Sequence, residues 1–170
     1  MHAEALAWVA GHATDEAVTV LDVGGRYING TPRGLFPNAD YLVLDIADGP
    51  NVDIVADAAT WDPYSTWDVV VCCEVFEHTP ASAEIIRTAF LALKPGGRFI
   101  VTTAAPGRLP HSGIDGMHVR DGEWYQNVDP AELEHWLHTA GFEDIIVDLH
   151  RPSCDVRAVA TKPTGEGVNA

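Results

Sequence analysis

The chain has 170 residues, with 10 Lys+Arg against 25 Asp+Glu and a formal charge of −15 at pH 7. With 46% hydrophobic and 21% charged residues it can bury the core of one domain, which excludes a disordered chain. The carboxylate surplus repels phosphate backbones and anionic bilayers, so long nucleic acids and membranes are poor partners. No apolar run approaches the roughly 20 residues of a membrane span. The first residues lack a basic-then-apolar signal pattern, and Cys72, Cys73 and Cys154 make no disulfide framework. A reducing, cytoplasmic setting is the expectation.

No repeat, low-complexity tract or linker divides the chain, so one domain is expected over residues 1–163. Residues 164–170, short, polar and glycine-rich, read as a flexible tail. Residues 3–10 pattern as a short helix. Val18–Asp22 is a compact apolar strand stopped by a carboxylate and then glycines. Thr31-Pro32 reads as N-cap and first residue of a short helix. Tyr41–Asp45, Val52–Ala56 and Trp67–Cys73 follow as strands, and Pro80–Leu93 has helical apolar spacing ended by Lys94-Pro95-Gly96-Gly97. Arg98–Thr103 is a fifth strand. The irregular stretch from Ala104 to Val128 exceeds most connections in compact domains, which points to function. Asp129-Pro130-Ala131-Glu132 is a capping box for a helix closed by Gly141, and two strand-like runs, Asp144–Leu149 and Val156–Ala160, end the pattern.

Near-continuous apolar strands alternating with helices mean a doubly wound α/β fold, its mostly parallel sheet covered on both faces. The last two strands are close enough for an antiparallel hairpin. Six residues between Asp45 and Val52 are too few for a helical crossover, so the fold is a minimal version with a shortened second connection.

Ligands of open α/β sheets bind at the carboxyl ends of the strands, and here those ends carry Asp22, Asp45, Asp57 and Glu74. Packing does not account for four carboxylates at one rim, because each must be solvated or paired. Gly24, Gly25 and Gly30 let a ligand approach the backbone, but the segment does not fit G-x-G-x-x-G. Asp22 would repel a dinucleotide's pyrophosphate, which makes a dehydrogenase the weakest reading. A ligand with a cationic amino-acid head suits Asp22, and Asp45 is placed to accept from two ribose hydroxyls.

The order Val20-Leu-Asp-Val-Gly-Gly25, Leu44-Asp45, Ala56-Asp57-Ala58, Trp67-Asp68-Val-Val and Leu93-Lys-Pro-Gly-Gly97 resembles the class I S-adenosylmethionine-dependent methyltransferases (type 11-like), over roughly residues 4–162. The resemblance implies a Rossmann-like seven-stranded sheet with a reversed final strand and S-adenosyl-L-methionine as cofactor. It puts Gly24 and Gly25 against the methionine moiety, Asp45 on the ribose, Asp57 and Ala58 by the adenine, and Asp22 with Glu74 at the remaining polar end. The usual D-x-G-x-G-x-G has Arg26 at its second alternate glycine, so the loop is expected to turn through Gly25 and Gly30, with Arg26–Asn29 weak as direct contacts.

Strand four runs into Glu74-Val-Phe-Glu77-His78, and residues three and four apart share a helical face. Two carboxylates and an imidazole suit Mg²⁺ or Mn²⁺, with Zn²⁺ a further option. The E-x-x-E-H element is similar to that of two metal-using branches, the ubiquinone-pathway O-methyltransferases and the small-RNA terminal 2′-O-methyltransferases. On that resemblance the metal set is Glu74, Glu77, His78 and His118, with His111 in reserve. A metal-free site with His78, His111 or His118 as base, or catalysis by positioning alone, stands beside it.

Cys72 and Cys73 read as buried small hydrophobes. Trp61, Tyr64 and Trp67 are candidates for packing on adenine or core, and Trp124 and Tyr125 for lining the acceptor pocket. His135 and His138 read as a solvated helix face. Arg108 or Arg120 is placed to hold an acidic acceptor group. The expected activity is methylation of a small-molecule acceptor, at a hydroxyl in the first instance. RNA terminal 2′-O-methylation and a non-catalytic S-adenosylmethionine-binding module are the alternatives. With almost no N-terminal cap, the pocket is open or completed by a second subunit, so a homodimer is compatible with the sequence.

Overall fold

In the computed structural model, which describes residues 1–165, the apolar runs become β1 (Thr19–Val23), β2 (Asp40–Asp45), β3 (Ile54–Val55), β4 (Trp67–Cys73), β5 (Leu93–Ala104), β6 (Glu143–His150) and β7 (Asp155–Thr161). The helices are α1 (Ala3–Ala10), α2 (Ser82–Ala92) and α3 (Pro130–Ala140). One sheet holds all seven strands in the order β3-β2-β1-β4-β5-β7-β6. β1 pairs in parallel with β2 and β4, and β4 with β5, while β7 runs antiparallel to both β5 and β6. Of the expected tail, residues 166–170 lie outside the described residues.

Both sheet faces are apolar because the central strands are buried on both sides. Leu21, Val70, Phe99 and Val101 pack with Ile85, Ile86 and Ala89 of α2 and with Leu133 and Leu137 of α3. On the opposite face Val20, Val43, Val69, Val71 and Ile100 meet Val9 of α1. The capping of α3 follows its sequence: Asp129 accepts from the Ala131 N–H at 2.9 Å, Pro130 opens the helix, and Gly141 ends it at φ 100°.

Three expectations need correction. The helix at Thr31-Pro32 is only a 3₁₀ turn over Arg33–Leu35. The helix expected from Pro80 begins at Ser82. Its Lys94-Pro95-Gly96-Gly97 terminator lies inside β5, where Leu93 pairs with Trp67 ahead of a register shift and the Gly96 N–H donates to the Lys162 carbonyl. The third strand shrinks to two residues, Leu44 facing Ile54 and Asp45 facing Val55.

That short edge strand follows from the cut-down second connection, and the connection has its own contacts. Asn51, at φ 65°, donates from Nδ2 to the Gly25 carbonyl at 3.0 Å and accepts from the Tyr27 N–H at 2.8 Å. A segment too short to form a helix is thereby zipped onto the glycine loop after β1, at the rim where the strand-end carboxylates gather.

Candidate active site

Two cavities of about 540 and 490 Å³ open at the carboxyl ends of β1, β2 and β4, and Gly24, Arg26, Ile28, Glu74, His78 and Gly113 line both. Asp45, Asp57, Ala58 and Trp124 belong to the second cavity. Asp22, Gly25, Arg108, His111 and His118 belong to the first. The strand-end carboxylates, the glycine loop and the 104–128 segment therefore meet in one divided cleft.

The glycine loop turns at Gly24 (φ 72°) and Gly30 (φ 144°), not at Gly25. A Cβ on Gly24 would fall 2.3 Å from Val75 Cγ2, and one on Gly25 would fall 2.4 Å from the Asp22 carboxylate carbon. Both positions need glycine so that the backbone can pass close to its neighbours and leave the cleft open. Asp22 is buried, accepts from the Tyr41 hydroxyl at 2.8 Å, and is pushed up to about 7 by burial. Asp45 accepts from the Arg26 and Ala47 N–H groups at 3.1 and 3.0 Å, which leaves two of a carboxylate's roughly four lone-pair positions for hydroxyls. Asp57 accepts from the Ala59 N–H at 2.9 Å and holds the turn that presents buried Ala58.

The Glu74–His78 segment does not form the α-helical face expected of it. Glu74 takes φ 57° and only Phe76–His78 wind into a 3₁₀ turn, so the i, i+3 and i+4 spacings no longer align. Glu77 is fully buried. Its Oε2 accepts from the Thr103 hydroxyl at 2.7 Å, while Oε1 has no partner and lies 4.0 Å from His111 Nε2. Burial, reinforced by the Glu74 charge, raises Glu77 to about 8. The His78, His111 and Tyr125 rings meet edge to face, with His78 and His111 centroids 4.9 Å apart. Burial, and next the His111 charge, lowers His78 to about 4. The Leu109 carbonyl lies 3.2 Å from His111 Nδ1 and takes a hydrogen bond only from a protonated Nδ1, the tautomer in which Nε2 is the accepting nitrogen.

Glu77, His78 and His111 thus place ligand atoms within 4.8 Å of one another. The four-residue set of Glu74, Glu77, His78 and His118 is not what the fold assembles. Glu74 turns away to Arg108 and His2, at 3.4 and 3.5 Å, and accepts from Thr102 at 3.0 Å, while exposed His118 sits on the first cavity's rim. Asp155, fully buried, completes that second cluster, pairing with Arg108 and lying 3.2 Å from His2 Nε2. Hydrogen bonds that protonated His2 donates to Asp155 and then to Glu74 raise it to about 10. Sequence reasoning missed His2 and Asp155, whose partners lie far away in the chain.

The family model described as a methyltransferase domain matches residues 9–147. The chain belongs to this methyltransferase family. It is an S-adenosylmethionine-dependent methyltransferase, and the open glycine loop and the free positions on Asp45 suit that cofactor. Ubiquinone biosynthesis O-methyltransferases from Pseudomonas paraeruginosa and Pseudomonas fluorescens are 28% and 30% identical to it, each match covering 85% of this chain and 74% of the relative. The solved DhpI–SAH complex superposes with a TM-score of 0.70 at 20% identity, over 94% of this chain and 82% of that one. The Burkholderia thailandensis 1,6-didemethyltoxoflavin-N1-methyltransferase gives 0.68 at 20% identity, over 94% and 77%. Both are likenesses of fold.

Other side chains of this methyltransferase stand apart from the cleft or, like Cys73 on the wall of the first cavity, offer it no reactive group. Trp61 and exposed Tyr64 cluster on buried Trp67, and none of the three lines either cavity. Cys72 and Cys73 are buried, and burial pushes both thiols up, which makes them inert. Arg120 pairs with Asp115 rather than facing the cleft, and His135 and His138 are exposed. No helix among the described residues is long and apolar enough to cross a membrane.

Proposed function

We propose that this methyltransferase acts on a hydroxyl oxygen of a small molecule. The observation that carries the reading is the Glu77–His78–His111 cluster, because an oxygen acceptor must lose a proton and two of its members reach the cleft, His78 in the shared part and His111 in the first cavity, with Glu77 buried behind them. When bound, S-adenosylmethionine supplies a methyl group on a cationic sulfur. The chain's residues do the rest. Asp22, Gly24 and Gly25 accept the amino-acid end, and Asp45 takes the ribose hydroxyls. Ala58 and Asp57 flank the adenine.

His111, with Nε2 free to accept, takes the acceptor's proton, and His78, neutral near pH 7, shapes the pocket beside it. Arg108 is neutralised by Glu74 and Asp155, so the site favours an uncharged acceptor over an acidic one. The names of the O-methyltransferase relatives support the choice of oxygen.

The test is His111→Gln. Methyl transfer to hydroxylated small molecules, found by an unbiased screen, should fall at least a hundredfold in kcat. The affinity for S-adenosylhomocysteine, measured by calorimetry, should stay within twofold. A protein that methylates only nitrogen or carbon acceptors would overturn the reading.

One observation favours a metal-assisted form of the same reaction. Glu77 Oε1 is buried without a partner beside two imidazoles, and two nitrogens with one oxygen suit Mn²⁺ or Zn²⁺ better than Mg²⁺. A bound divalent ion would acidify the acceptor hydroxyl. Calorimetric uptake of one Mn²⁺ per chain, lost in Glu77→Gln, supports this form, and no uptake retires it. Terminal methylation of RNA needs a basic groove, which a charge of −15 opposes. A non-catalytic binding module would leave Glu77, His78 and His111 dispensable.

A further inference from the structure

Arg26 stands where the usual loop pattern has a glycine, and the fold has built a place for it. Its methylenes lie where Gly49 leaves room, since a Cβ on Gly49 would fall 2.8 Å from Arg26 Cδ. Gly49 belongs to the shortened second connection, which Asn51 fastens to Gly25 and Tyr27. The guanidinium is thereby brought to the ribose end of the cleft, with Nε 3.9 Å from Asp45 Oδ1. That distance is an ion pair and not a hydrogen bond. Nε is buried and has no hydrogen-bond partner, although Arg26 lines both cavities. A buried N–H without a partner is costly, and a native site that keeps one beside a ligand cleft has a use for it.

We propose that Arg26 is half of a ribose clamp: Asp45 accepts from the cofactor's ribose 2′- and 3′-hydroxyls, and Arg26 donates to one of those same hydroxyl oxygens from the other side. A hydroxyl is both donor and acceptor, so an acid–guanidinium pair satisfies it more fully than a carboxylate alone. The clamp accounts for three departures together: the lost glycine, the missing crossover helix and the orphan Nε. It also separates Arg26 from the methionine carboxylate, the other part of the cofactor that a guanidinium would fit.

Three probes decide the matter by calorimetry or by competition: S-adenosylhomocysteine, adenosine and 2′,3′-dideoxyadenosine. In Arg26→Gln, affinity for the first two should fall by the same factor, roughly tenfold or more. Dideoxyadenosine, which lacks the 2′- and 3′-hydroxyls that the clamp holds, should bind as it does to the wild type. Loss confined to S-adenosylhomocysteine would put Arg26 on the amino-acid end and overturn the clamp. Equal loss for all three would mean that the loop itself has moved, and no loss for any would mean a tolerated side chain; either overturns it. Arg26→Gly, which restores the usual pattern, should bind adenosine no better than Arg26→Gln, and tighter binding counts against the proposal. A wild-type protein that fails to bind S-adenosylhomocysteine would sink the cofactor itself, a result distinct from any of these.

Discussion

Asp22 carries a pH dependence that a surface carboxylate would not. Burial holds its carboxyl near 7, and only the Tyr41 hydroxyl and distant Arg33 work in the other direction. A cationic amino group arriving beside it favours the ionised form, so binding of S-adenosylhomocysteine should weaken as pH falls below about 7. The expected slope approaches tenfold per pH unit and flattens above pH 7, measured by calorimetry between pH 5.5 and 8. Asp22→Asn should remove the slope. That Asp22, Gly24, Gly25 and Asp45 gather at one rim was legible in the sequence, because strand-end acids and glycines announce themselves by position. The reason for Gly25 was not, since it is the Asp22 carboxylate that forbids a side chain there. His2, Glu74 and Asp155 could not be grouped from sequence at all: they lie on three separate segments that only the folded sheet brings together.

The segment from Ala105 to Asn127 behaves as an element although it contains no helix or strand. Glu123 braces it, accepting from the Ser112 hydroxyl at 2.7 Å and from the Arg120 N–H at 2.7 Å. Asn127 donates to the Arg108 carbonyl and the Gln126 N–H donates to the Glu77 carbonyl, which ties the segment's end to the Glu77–His78–His111 cluster. Gly113 lies against the His78 ring, so the brace also sets the roof over the shared part of the cleft. Glu123→Ala should speed amide hydrogen exchange over Ser112–Arg120 and lower kcat/KM about tenfold, with little change in Tm because Glu123 lies at the surface. Unchanged exchange there would mean that the turns hold without it. The length of this segment was legible as a sign of function, whereas its internal hydrogen bonds depend on a fold-back that no periodicity encodes. The short second connection was likewise legible as a truncation, but its docking on the glycine loop rests on Asn51 at a positive φ.

Across the whole molecule, two sets of acids withdrawn from solvent act on stability in opposite ways, one paired with cations and one not. The His2–Glu74–Asp155–Arg108 network is stabilising while His2 is protonated and both acids are ionised. His2 is raised, so its contribution is full below about 6.5 and is lost as pH rises toward about 10. Hydrogen bonds and the charges of His2 and Arg108 outweigh burial and lower Glu74 and Asp155, so their contribution fades below about 4.5.

Glu77 runs the other way. Its carboxyl is raised to about 8, so the folded state prefers the protonated form, and the stability this gives at low pH is lost progressively from about pH 4.5 to 8. At neutral pH the interior behind the cleft therefore holds a group that the fold would be more stable without. Glu77→Gln keeps the shape and removes the charge. It should raise stability by roughly 1–3 kcal/mol at pH 8 and change it little at pH 4, read as Tm against pH, while methyl transfer falls by about a hundredfold or more. A Tm gain that is the same at both pH values would place the benefit in packing rather than in charge. A stabilised but still active Glu77→Gln would leave His78 and His111 to manage the acceptor's proton by themselves.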